Sequence, residues 1–126
     1  PELLQECKSL NGCETGDAKI TNGYDLPAKY VIHTVGPVWR GGDKNETELL
    51  RSCYLRSLQI AEEKNLKIIA FPNISTGVYG FPKEKAALIA VETVKGFLES
   101  SEIEKVIFAV FDEENYQIYR KKLNFL

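Results

Sequence analysis

Between residues 45 and 65, the apolar positions recur at helical spacing. Leu49, Leu50, Cys53, Tyr54, Ser57, Leu58 and Ala61 form one stripe, with Arg51, Arg56, Glu62 and Glu63 largely outside it. The pattern predicts a helix entered through Asn45 as N-cap, with Glu48 three residues on, and ending near Lys64-Asn65. A second helical pattern runs over 83–100, with Pro82 at its first turn and Ala87, Leu88, Val91, Val94, Lys95 and Leu98 on one face. Asp112 caps a third through about Leu123, with Tyr116, Tyr119 and Leu123 inward. The opening residues, from Pro1 to Cys7, also read as helix, ending near Asn11-Gly12.

Other apolar runs are short, β-branched and bounded by turn residues. Tyr30–Val35, closed by Gly36-Pro37, predicts a strand, and Ala18–Thr21 a shorter one. Lys67–Phe71 is almost wholly apolar, which predicts a central strand covered on both faces, and Lys105–Phe111 makes a further strand. Strands that alternate with helices imply a largely parallel sheet with helices on both sides, an α/β domain spanning residues 1–126. Ligands in such folds sit beyond the carboxyl ends of the strands, so the loops after Val35, Phe71 and Phe111 are expected to share one rim.

The 126 residues carry 44% apolar and 27% charged positions, as in an ordinary globular domain, and a formal charge of −2. That charge offers no broad basic face for duplex nucleic acid, so nucleic acid is not an expected partner. A small anionic ligand remains compatible, since it needs only a local set of donors. Cys7, Cys13, Cys53 and the single His33 lack zinc-site spacing, so no metal is expected. Sparse, odd-numbered cysteines fit a reducing compartment. With no run as long as a membrane span, the expected location is cytoplasmic, with no membrane partner. The start, a helix with no methionine and no capping residue before it, reads as that of a fragment.

The loop from Asn73 to Pro82, Asn-Ile-Ser-Thr-Gly-Val-Tyr-Gly-Phe-Pro, joins a buried strand to a helix. Glycines, a Ser-Thr pair and a helix start leave main-chain N–H groups unpaired and the positive end of a helix dipole nearby, a combination suited to phosphate or diphosphate. The loop exceeds the usual βα connection of roughly 2–6 residues, and a simple turn does not need Tyr79 and Phe81. Elsewhere the structural readings prevail. His33 is a core residue of its strand, Trp39 folds onto the sheet edge, and the cysteines are inert thiols without a basic partner in sequence. Acidic residues 112–114 read first as a helix N-terminus favoured by its dipole; a second reading places Phe111 and Asn115 beside a ligand at the rim. There is no Ser-His-Asp arrangement, G-x-S-x-G elbow or HExxH helix. The residues by themselves reach an anion-binding α/β domain.

Three ordered blocks, Tyr30–Trp39, Ala70–Pro82 and Phe111–Asn115, with Thr15–Ala18 and Leu26–Lys29 before them, resemble the macrodomain family in its MacroD-type branch. The resemblance covers essentially the whole chain. It implies a three-layer α/β/α fold with a largely parallel, mixed sheet, here N-terminally truncated. It further implies binding of ADP-ribose or O-acetyl-ADP-ribose, no cofactor, and hydrolysis of O-acetyl-ADP-ribose or of ADP-ribosyl esters on acidic side chains. ADP-ribosylated proteins become candidate partners, with the domain itself a monomer. A non-catalytic reader of ADP-ribose is the alternative. By that resemblance Ser75, Thr76, Gly77, Val78, Tyr79 and Gly80 wrap the diphosphate and distal ribose. Tyr79 lies against that ribose, Phe111 borders the adenosine, and Asn115 is nearby. The family's Asn-Ala-Ala-Asn stretch and its glycine-rich loop ending in aspartate match nothing in residues 1–126, so no catalytic residue is assigned in this chain.

Overall fold

The computed structural model describes residues 2–10, 12–77 and 79–123. In chain order the elements are α1 (Glu2–Ser9), β1 (Ala18–Asn22), β2 (Tyr30–Thr34), α2 (Glu46–Glu63), β3 (Ile68–Phe71), α3 (Lys83–Leu98), β4 (Lys105–Phe108) and α4 (Glu113–Leu123). Val78, and Asn11 of the expected first C-cap, lie outside the described residues; Gly12 has φ +81°.

The strands form two hydrogen-bonded pairs. β1 and β2 are antiparallel, with Ile20 opposite Ile32, while β3 and β4 are parallel, with Phe71 beside Phe108. A parallel bridge links Thr15 to Val35. Among the described residues these are two separate two-stranded sheets, one antiparallel and one parallel, rather than the single mixed sheet expected, and no ladder joins the facing edges of β2 and β3. An opening of about 850 Å³ separates those edges, lined by β2, β3, Ile74, Ser75 and Tyr79 among others.

The core lies on one face, between the strands and α2, α3 and α4. Leu50, Cys53, Tyr54, Leu58 and Ala61 of α2 are buried there, as the stripe predicts. Each fully buried leucine contributes roughly 2 kcal/mol by leaving water. Aromatic contacts run across the layer: Tyr54 to Phe71 at 4.8 Å, Phe71 to Phe108 at 6.4 Å, and Phe108 to Tyr119 at 4.9 Å. On the opposite face α1 covers β1 and β2. Ile32 packs against the main core, while its neighbour His33 turns to α1, where Nε2 is 2.9 Å from Thr21 Oγ1 and 3.7 Å from Cys7 Sγ. His33 is thus a satisfied, half-buried residue, and Cys7 has a basic neighbour that its sequence position did not reveal.

Several expectations need correction. The second face of β3 and β4 is open, with Ile68 59% exposed and Ala70 and Ile107 also exposed. An apolar strand reports that both faces can be buried, not that both are. α3 buries Ala86, Ala87, Ile89, Ala90, Val91 and Val94, which rotates its inner face so that Leu88 is exposed. On α4 the inward residues are Asn115, Ile118 and Tyr119, and Tyr116 and Leu123 are exposed. Asn45 occupies the N-cap of α2 with φ +63° and makes no side-chain cap hydrogen bond; Glu48 pairs with Arg51 instead.

Candidate functional site

β3 leaves the sheet at Phe71, whose carbonyl accepts the Ala109 N–H at 2.7 Å, and the chain enters loop 73–82. The loop turns at Ser75, with φ +67°, and at Gly80, with φ +72°, and runs into the start of α3. Two internal bonds hold its shape: Gly80 N–H to Gly77 O at 3.0 Å, and Phe81 N–H to Ser75 O at 2.8 Å. Phe81 anchors it from below, 1% exposed. Among the described residues, the main-chain N–H groups of Ser75, Thr76, Gly77 and Tyr79 have no hydrogen-bond partner. A Cβ placed on Gly77 would meet nothing within 4 Å, so the backbone there faces open space. A strand-to-helix connection whose free amides precede a helix start is suited to an anion.

The adjoining loop, 36–45, is built differently. Gly36 lies against loop 73–82 so closely that a Cβ there would be 2.2 Å from Ser75 Oγ and 2.6 Å from Ile74 Cγ2. Ser75 Oγ is itself buried and without a partner. Trp39 does not lie on the sheet edge as expected. Its N–H donates to Tyr79 O at 2.8 Å, and its ring packs on Phe81 at 4.8 Å. Lys85 Nζ sits 5.4 Å from the same indole.

Beyond Trp39 the chain curls around Glu46, which is 1% exposed at the start of α2. Its carboxylate accepts the N–H groups of Arg40 at 2.7 Å, Gly42 at 3.0 Å and Lys44 at 2.5 Å. Gly41 and Gly42, with φ +92° and +95°, allow that curl. Burial pushes the Glu46 carboxyl pKa up, but these amides and its own N–H more than reverse the effect and leave it at about 2. Sequence reasoning missed Glu46. The available signal was an acidic residue opening a helix just after a Gly-Gly pair, a carboxylate among freely turning amides.

The remaining candidates are placed unevenly. Tyr79, 42% exposed, stands open beside the loop, and Phe111, 89% exposed, projects past the end of β4. Asn115 is 2% exposed, so it does not face a ligand as expected. Its N–H and Nδ2 donate to Asp112 at 2.8 and 3.0 Å, which holds the Asp112 carboxyl below the usual range. Asn115 therefore completes the expected Asp112 cap, with Oδ1 buried and unpaired. Val78 lies outside the described residues. Cys53 is buried, and burial raises its pKa and that of Cys13, which suits unreactive thiols. Among the described residues no group of three His, Cys, Asp or Glu side chains could hold a metal, and no helix is long and apolar enough to cross a membrane.

Comparison with known proteins places these features in a family. The Macro domain family matches residues 1–90. A Macro domain-containing protein of Methanosarcina mazei is 58% identical over 125 residues, which cover 98% of this chain and 67% of that protein. The ADP-ribose glycohydrolase MACROD2 of Mus musculus is 57% identical over 98% of this chain, which spans only 27% of the mouse protein. The Trypanosoma brucei macrodomain in complex with ADP-ribose superimposes with a TM-score of 0.88 at 43% identity, covering 98% of this chain and 52% of the trypanosome one. With its free amides between β3 and α3 and its α/β architecture, this chain belongs to the Macro domain family.

Proposed function

We propose that this chain binds ADP-ribose, with the diphosphate seated on the free amides of Ser75, Thr76, Gly77 and Tyr79. The observation that carries the reading is that set of N–H groups, unpartnered among the described residues, in the loop between β3 and α3. The trypanosome relative in complex with ADP-ribose supports it, as does the name of the mouse relative. Exposed Tyr79 offers a ring to the distal ribose, and Phe111 an apolar face at the adenosine end. The protein carrying this domain, in this reading, hydrolyses O-acetyl-ADP-ribose or ADP-ribosyl esters on acidic side chains. Water adds across the ester C–O bond, which breaks to free ADP-ribose and the carboxylic acid (acetate from O-acetyl-ADP-ribose), while the anchored diphosphate holds the ribose in place.

Isothermal calorimetry with ADP-ribose tests the binding, with Gly77→Val as the partner variant. Saturable binding that Gly77→Val abolishes supports the loop as the site, and no binding by the parent chain defeats it. The second reading is a reader without turnover, which would use the same loop 73–82 and is compatible with a chain in which no catalytic residue is assigned. Acetate release from O-acetyl-ADP-ribose separates the two: turnover supports the hydrolase, and tight binding without turnover supports the reader.

A further inference from the structure

We propose that Glu46 is a positioning residue for the anion loop, acting through Trp39 on Tyr79. The affinity part of this proposal rests on the ADP-ribose reading above; the mechanical part does not. Segment 40–44 makes three main-chain hydrogen bonds to the Glu46 carboxylate, which is the principal fixture of the chain just after Trp39. Trp39 in turn joins the anion loop at two places. Its N–H orients the Tyr79 carbonyl, and its ring rests on Phe81, the residue that anchors the loop from below. The Tyr79 amide, one of the free donors, belongs to the residue whose carbonyl is so held. Gly42 lies under the same indole, where a Cβ would come within 3.1 Å of Cη2, so the curl around Glu46 and the seat of Trp39 form one packed unit.

The connection is directional. Among the described residues the Glu46 carboxylate hydrogen-bonds to none of the proposed ligand-binding residues, yet loss of its charge releases Arg40, Gly42 and Lys44 together. Trp39 then loses the fixed backbone on its C-terminal side, and the Tyr79–Gly80 peptide loses its outer support. A buried carboxylate that satisfies several amides makes charge-assisted bonds, which are stronger than those a neutral amide can make in its place.

Amide hydrogen exchange on the full chain at neutral pH tests the mechanical part, comparing the parent with Glu46→Gln and with Val94→Ala. Val94 is buried in α3 and makes none of these contacts, so its truncation controls for general loss of stability. In Glu46→Gln the amides of Trp39, Gly80 and Phe81 are expected to exchange about 10-fold faster, while those of α4 keep their rates. Trp39 is the only tryptophan, so its emission reports the same release. ADP-ribose affinity is expected to fall about 10-fold in Glu46→Gln and to hold in Val94→Ala. Unchanged loop exchange and Trp39 emission in Glu46→Gln overturn the proposal, as does an equal effect from Val94→Ala. If the parent chain fails to bind ADP-ribose, the functional reading falls while the exchange rates still decide the role of Glu46.

Discussion

Loops 36–45 and 73–82 lie side by side at the rim, joined by the Trp39–Tyr79 hydrogen bond, and both turn through a glycine with positive φ. In the first, one buried carboxylate consumes the amides of Arg40, Gly42 and Lys44. In the second, the amides of Ser75, Thr76, Gly77 and Tyr79 are left without partners among the described residues. The same backbone chemistry thus gives a strut in one place and a set of open donors in the other. The difference is whether the protein supplies its own anion. A loop that brings Glu46 satisfies itself and becomes rigid, whereas a loop of Ser, Thr, Gly and Tyr has donors left for an outside anion.

The largest effect comes from forcing the two loops apart. Gly36→Val places a side chain where Ser75 Oγ and Ile74 Cγ2 already stand. It is expected to cost about 3 kcal/mol in urea unfolding and to abolish ADP-ribose binding with it. The glycines within loop 73–82 then separate geometry from ligand contact. Gly77→Val enters open space, so stability should stay within about 0.5 kcal/mol while affinity falls at least about 10-fold. Gly80→Val, at φ +72°, should lose both, with about 1–2 kcal/mol of stability from backbone strain. Thermal melts beside calorimetry read both variants.

Acid probes the strut. Glu46 has a folded pKa of about 2 against an ordinary 4.5, so the stability it contributes is present above 4.5 and disappears as pH falls towards 2. Glu46→Gln should therefore be the less stable protein at near-neutral pH, with the gap to the parent closing across that window. Urea titrations of both proteins through the window check the convergence. The smallest effect is expected at Ser75, whose buried hydroxyl has no partner to lose. Ser75→Ala should change stability by less than about 0.5 kcal/mol and affinity by less than about 3-fold, because main-chain donors carry the contact.

The contrast between the loops also explains what could be read from the chain. Loop 73–82 was legible because its length, glycines and Ser-Thr pair are local properties, and the α2 stripe was legible because Leu50, Cys53, Tyr54, Leu58 and Ala61 repeat at one period. Glu46 was read past because Asn45 and Glu48 imitate a capping box. The residue between them takes the amides instead, and that depends on where residues 40–44 fold back. The open outer face of β3 was not legible either, since Ile68 and Ala70 state a preference for burial but not what is present to cover them. Asn115 failed as a rim residue for a related reason: at one helical turn from Asp112 it serves the cap, and helical spacing turns it into the core.

The central claim is that free amides of loop 73–82 receive a diphosphate while those around Glu46 are already taken. Proton–nitrogen NMR of the labelled chain, titrated with ADP-ribose, tests it most directly. The amide protons of Ser75, Thr76, Gly77 and Tyr79 should move downfield with saturation, while those of Arg40, Gly42 and Lys44 hold their positions. Saturable shifts that leave the first set unmoved, or no shifts at all, would contradict the account.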